Sequence, residues 1–185
     1  MTKSMKQFTL FSTVILSATV ALFAADLTKA YDMPDASKIV EKDLIDGPTK
    51  FTMSKECKLD SAEAIARGKY LYHNLNSDTT KDPAPKGLAT PKEGEVKAYG
   101  NCVACHNIEG AVGGGTVGPP LGDYFNMMIK TKARDAQFVY QKIADPRIDN
   151  KDTSMTINLT SKMFNAQEVC DVTAYVLQIK TEKKK

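Results

Sequence analysis

The chain has 185 residues, 42% of them hydrophobic and 25% charged, with 11 glycines and 8 prolines, a balance that excludes collagen, coiled coil and wholesale disorder. Its net charge of +3 falls to about +1 once the apolar first 30 residues, with Lys3, Lys6, Lys29 and Asp26, are set aside. That near-neutrality gives no support for a nucleic-acid partner, which calls for a basic face or stripe.

Residues 1–30 read as an export signal: Lys3 and Lys6 precede a charge-free run from Phe8 to Ala25, followed by small residues suited to cleavage. The run is long for a cleaved signal and close to the shortest membrane span. Cleavage after Ala30, or earlier at Ala24 or Ala25, is expected over retention as an anchor. The expectation is therefore an exported, periplasmic protein with no membrane span after signal cleavage, in a compartment where disulfides persist. Residues 31–60 form an N-terminal extension, mixed polar with Pro34 and Pro48, suited to wrapping a surface or a partner.

A first helix is expected over about Ser61 to Leu75, opened by an Asp60/Glu63 capping pattern, with Ile65, Gly68, Tyr72 and Leu75 on one face. Residues 76–98, rich in Pro, Lys, Thr and Asp, make an inserted loop, and a loop of that length is commonly functional or disordered. Then comes Asn101-Cys102-Val103-Ala104-Cys105-His106, the C-x-x-C-H spacing of covalent c-type haem attachment. Two thiols on one turn each form a thioether to a haem vinyl group, and the adjoining His106 is held beneath the iron. A thioredoxin-like pair expects a preceding strand and a βαβ pattern, absent here. Zinc would need about four ligands, and the chain has two histidines and no second C-x-x-C. A plain disulfide leaves His106 unexplained. One covalent haem c is the expected cofactor.

Six of the glycines fall between Gly110 and Gly122, a run read as a crevice wall pressed against something flat. A sixth iron ligand has several candidates. Met127 and Met128 follow the crevice loop too closely to cross to the other haem face and read as core. Met155 is isolated in the polar loop Asn150-Lys151-Asp152-Thr153-Ser154-Met155 and is favoured; Met163 reads as a staple before the Asn165 cap, and His73 as a surface residue of the first helix. A middle helix is expected over about Asp135 to Ala144, stopped by Pro146. A last helix, capped by Asn165 with Glu168, carries Val169, Val172, Val176 and Ile179 on one face to about Lys180. Gly68 allows a close helix approach that Tyr175 suits. Residues 181–185 are a solvated basic tail. No strand, repeat or second domain is evident.

Cys57 and Cys170 remain. They lie on elements expected to cross, so a disulfide between them is sterically reasonable; the rival reading is a buried, inert Cys170 and an exposed Cys57.

Residues 66–69 (Ala-Arg-Gly-Lys), the Gly-Asn-Cys-x-x-Cys-His motif, Val117-Gly118-Pro119-Pro120-Leu121, Asp145-Pro146-Arg147, Asn150 to Met155 and the Asp171-Val172-Thr173-Ala174-Tyr175 helix, in that order, resemble the SoxX family of monohaem cytochromes c. The likeness covers about residues 61–180. It implies an all-α, class I cytochrome c-like fold around one covalently attached haem, closed by terminal helices crossing at a glycine and an aromatic. It puts the Pro119 carbonyl on the ring nitrogen of His106 opposite the iron. It also implies an electron-accepting subunit of the SoxAX L-cysteine S-thiosulfotransferase in thiosulfate oxidation, without a catalytic site of its own. The implied partners are a SoxA-like dihaem or monohaem cytochrome subunit, the SoxYZ carrier through that complex, and a downstream soluble cytochrome. The alternatives are a free-standing periplasmic electron carrier and a sensor with an open sixth site. Thr156 stands where the family usually has proline after its axial methionine, and the 76–98 insertion is unusual for it.

Overall fold

A computed structural model describes residues 46–108 and 114–180. Residues 1–30, expected to be an export signal, most of the N-terminal extension, the start of the glycine run and the basic tail lie outside these residues. Among the described residues three helices make the frame: α1 (Ala62–His73), α2 (Ala136–Ala144) and α3 (Ala166–Val176). Short turns intervene at Cys102–Ala104, Phe125–Ile129 and Pro146–Ile148. Among the described residues the β pairing is confined to one isolated antiparallel bridge, Asn76 with Ala98, and no helix is long and apolar enough to cross a membrane.

The caps explain where the helices start. Asn165 and Glu168 form a reciprocal capping box, with Glu168 N–H donating to Asn165 Oδ1 at 2.9 Å and Asn165 N–H to Glu168 Oε2 at 3.0 Å. Asp135 accepts from Phe138 N–H at 2.7 Å to open α2. For α1 the cap is Ser61 and not Asp60: its hydroxyl accepts from Ala64 N–H and donates to Glu63. At the far end α3 stops at Val176, short of Lys180. There the Ile179 carbonyl leaves the helical ladder to accept from Phe125 N–H at 2.9 Å.

Helices α1 and α3 cross at Gly68. A Cβ on Gly68 would overlap the backbone carbonyl of Asp171 and stand 2.9 Å from Tyr175 Cβ, so only glycine permits this approach. Beside the crossing, Arg67 makes a two-pronged ion pair with the buried Asp171, Nε to Oδ2 at 2.7 Å and Nη2 to Oδ1 at 2.9 Å. The hydrogen bond to Asp171 raises the affinity of the Arg67 guanidinium for its proton. Cys57, just ahead of α1, is joined to Cys170 of α3 by a disulfide with Cα atoms 5.5 Å apart, closing 113 residues of sequence. On the chain-entropy account such a loop contributes up to about 4–5 kcal/mol.

The buried face of α1 is Ala64, Gly68, Tyr70, Leu71 and Tyr72, wider than the expected stripe, while Leu75 is 54% exposed. The inserted loop is the reason for the extra width. It is pinned at its base by Ser77 N–H to the Lys97 carbonyl and Tyr99 N–H to the Leu75 carbonyl, at 3.0 and 2.8 Å, and Lys97 pairs with Glu168. Folded back, it buries Leu88 in the main core and gives Tyr70 O–H the Asp82 carbonyl as acceptor. The helix therefore has a second covered side that no single periodic stripe describes.

Residues 46–53 of the extension run along α2 as a strap. Gln137 and Gln141, one turn apart, present their amides like a strand edge. Phe51 N–H donates to Gln141 Oε1 at 2.7 Å, Met53 N–H to Gln137 Oε1 at 2.8 Å, and Gln137 Nε2 returns to the Phe51 carbonyl at 2.9 Å.

Candidate functional site: a cavity on the C-x-x-C-H turn

The turn Cys102–Ala104 is set by its approach. Asn101 adopts a left-handed backbone (φ 42°), which asparagine tolerates better than most residues. Gly100 before it packs where a Cβ would lie 2.8 Å from Cys102 Sγ and 3.2 Å from the Phe164 ring. The turn follows a loop, not a strand, so it lacks the setting of a thioredoxin-type pair. Burial pushes the Cys102 thiol up to about 12, whereas redox-active C-x-x-C pairs depress it. Neither Cys102 nor Cys105 is in a disulfide. Among the described residues no three His, Cys, Asp or Glu side chains converge as a zinc site requires.

The crevice loop is laddered onto this turn. Gly115 N–H donates to the Val103 carbonyl, Gly118 N–H to the Cys105 carbonyl and Leu121 N–H to the Asn107 carbonyl, each at 2.9 Å. Gly115 lies against the Ala104 carbonyl and Gly118 against the His106 ring. The His106 Nδ1 lies 2.8 Å from the Pro119 carbonyl oxygen. A carbonyl only accepts, so Nδ1 carries the proton and the lone pair is left on Nε2. That is the tautomer a metal-binding imidazole needs, and the bond fixes the orientation of the ring. The Tyr72 hydroxyl donates to the His106 carbonyl, and burial raises the affinity of that phenol for its proton.

Below the turn opens a mostly apolar cavity of about 630 Å³, within the cofactor range. Cys102, Cys105, His106, Pro119 and Met155 all line it. The turn beneath Met155 is made by its polar neighbours: Asp152 N–H donates to Asn150 Oδ1 and Met155 N–H to Thr153 Oγ1, at 3.0 and 3.1 Å. Met163 and His73 do not line the cavity. Met163 packs on the core. His73 is half-buried, not a surface residue, and its Nε2 is 2.9 Å from the Tyr175 hydroxyl; burial, then Lys69, lowers its proton affinity. Met127 and Met128 are not core either: Met127 is 56% exposed and Met128 lines the cavity, because Phe125–Ile129 winds as a π-type turn.

One residue of the cavity carried no signal in the sequence. Asn158 is buried on the cavity wall, its Nδ2 donating to the Ile143 carbonyl at 2.8 Å, while its Oδ1 has no partner in the chain. A buried orphan acceptor and a glycine shaved to the face of the imidazole are what a large bound group leaves behind in the chain that surrounds it. The residues therefore fit a haem. A Cβ on Gly118 would stand 2.6 Å from His106 Nδ1 and 2.9 Å from Nε2, forcing the ring off the Pro119 carbonyl. Gly118→Val is expected to reduce the yield of six-coordinate holoprotein about tenfold, the lower end for loss of a supporting contact, read from the absorption spectrum per mole of chain.

No curated protein matches the chain. The cytochrome c family model matches residues 91–180. It begins inside the inserted loop, and α1, which the insertion separates from the C-x-x-C-H turn, falls outside the match. Residues 91–180 are thus similar to cytochrome c, and that match, with the all-α frame around the C-x-x-C-H turn, is consistent with a class I cytochrome c fold and points to covalently bound haem c and electron transfer.

Proposed function

We propose that the protein is a periplasmic, SoxX-type electron-accepting subunit of a SoxAX L-cysteine S-thiosulfotransferase. The observation that carries its electron-transfer role is the single cavity that brings Cys102, Cys105, His106 and Met155 together. When bound, haem c supplies a one-electron ferric/ferrous couple. Cys102 and Cys105 would fasten it by thioethers, and His106 Nε2, left free by the Pro119 carbonyl on Nδ1, and the Met155 thioether would be its ligands; a thioether would favour the ferrous state and raise the potential. Tyr72, Val172 and Val176 line the same cavity and exclude water, which keeps reorganisation on electron transfer small.

The SoxAX assignment rests on the ordered motifs shared with that family. Joining thiosulfate to a carrier cysteine releases one proton and two electrons per bond. In this reading the chemistry belongs to the SoxA-like cytochrome, the cysteine to the SoxYZ carrier, and this chain passes electrons on to a soluble cytochrome. Its N-terminus in the periplasm would be Tyr31, after loss of residues 1–30. Co-expression with a SoxA-like dihaem or monohaem subunit is expected to give a stable heterodimer on size exclusion. A chain that stays monomeric beside that subunit overturns the complex and leaves a free-standing carrier. Met155→Ala is expected to remove the methionine-to-ferric-iron charge-transfer band and lower the midpoint potential, while Met128→Ala leaves both in place; the reverse pattern moves the ligand to Met128.

A further inference from the structure

We propose that Asp145 is a positioning residue for the sixth ligand, holding the loop that carries Met155 against the end of α2. The inference rests on Met155 as that ligand. Asp145 is fully buried and its two oxygens collect five donors from three separate segments. Oδ1 accepts from Arg147 N–H at 3.1 Å and Arg147 Nε at 2.9 Å. Oδ2 accepts from Arg147 Nη2 at 2.7 Å, from Thr49 N–H of the strap at 3.1 Å and from the Thr160 hydroxyl at 2.8 Å. Such saturation holds a buried carboxylate in its ionised, acceptor-only form, and the Arg147 bonds keep its proton affinity well below the usual carboxylate range.

Thr160 belongs to the Met155 loop. Two further bonds tie that loop to the last turn of α2: Asn158 Nδ2 to the Ile143 carbonyl at 2.8 Å and Leu159 N–H to the Ala144 carbonyl at 3.0 Å. Residues 158–160 are thus fastened at three consecutive positions, and Met155 is only three residues upstream. For the thioether to swing out of the cavity, the loop has to lift, and the charge-assisted bond to Asp145 is the strongest of its fastenings. Asp145 has no place in the cavity wall, so it acts through the loop and not on the bound group.

An external ligand reads this directly. Imidazole binds ferric haem only from the state in which methionine has left, so its apparent affinity scales with the population of that state. In the holoprotein, Thr160→Val deletes the loop's bond to Asp145 and spares the strap and Arg147. It is expected to tighten imidazole binding about tenfold, the fold-change of one hydrogen bond to a charged group. Asp145→Asn should shift it in the same direction and further. Arg67→Gln breaks a buried ion pair of comparable kind at the distant helix crossing and is expected to lower the unfolding midpoint with imidazole affinity unchanged. If Thr160→Val matches the wild type, or Arg67→Gln tightens imidazole as much as Thr160→Val does, the positioning role is overturned and Asp145 merely stabilises the fold. Met155→Ala separates the two layers. Should it leave the charge-transfer band and imidazole affinity unaltered, Met155 as ligand is what has failed.

Discussion

Replacing both Cys102 and Cys105 by alanine is expected to give a chain from which all haem is removed by denaturing acid extraction, and which does not pack natively without it. The cavity explains the second half. Left dry, about 630 Å³ of mostly apolar cavity would cost up to about 15 kcal/mol at roughly 24 cal/mol per Å³, as much as the whole stability of a typical domain. The chain has no other way to fill that volume, so it collapses or floods. Expected signs are retained helical far-UV signal, lost near-UV signal and strong binding of a hydrophobic dye. The disulfide and the α1–α3 crossing lie elsewhere, which is why helical content survives. Either single variant keeps one thioether and should hold haem through a denaturing gel. A double variant that also holds haem through that gel would refute attachment at this turn.

Substituting Gly68 with alanine is expected to lower the melting temperature of the holoprotein. Two effects oppose. Alanine gains about 1 kcal/mol over glycine in a helix interior. Against it stands the overlap of the new Cβ with the Asp171 carbonyl, a backbone atom that cannot swing aside, so α1 and α3 must separate and loosen the Arg67–Asp171 pair. Overpacking of this sort costs about 3 kcal/mol. The net loss is about 2 kcal/mol, or roughly 6–10 °C for a domain of this size. A melting temperature that rises would mean that helix propensity wins and that the crossing is looser than the structure has it.

Both effects hang on features of very different visibility. The spacing of Cys102, Cys105 and His106 shows in the sequence because the chemistry it serves is local: one helical turn holds all three. The Asn165/Glu168 box and the stop at Pro146 are local in the same sense, and the structure has them where the pattern puts them. Gly68 is intermediate. A glycine on a helical face announces a close approach, yet the identity of the atom approaching, the Asp171 carbonyl, depends on the angle at which α3 arrives.

Where the structure departs from the local pattern, the departures share one cause. The pattern puts His73 on the surface, but the neighbour that half-buries it, Tyr175, is 102 residues away. Leu75 fits the α1 stripe and is nonetheless exposed, because the helix ends at His73 and the backbone is extended at Asn74, which takes Leu75 off the helical face. Met127 and Met128 part company, one to solvent and one to the cavity, through a π-type turn that no hydrophobic period encodes. The strap on Gln137 and Gln141 has no signature in either partner, since glutamines on an exposed-looking helix face pass as solvated.

By itself, the sequence determined the C-x-x-C-H turn, the three helices with the Asn165/Glu168 cap, and a cysteine pair free to bridge, all through contacts that close within a few residues or through residue types whose chemistry admits few uses. Only the tertiary structure decided that Met128 and Met155 line the cavity and Met163 does not, that the inserted loop covers α1, that residues 46–53 lie along α2, and that a fully buried Asp145 gathers strap, turn and ligand loop on one carboxylate. Those outcomes depend on donors and acceptors brought together from about 15 to 100 residues apart, and a pairing over that distance is set by how the helices cross, which no local pattern of side chains records.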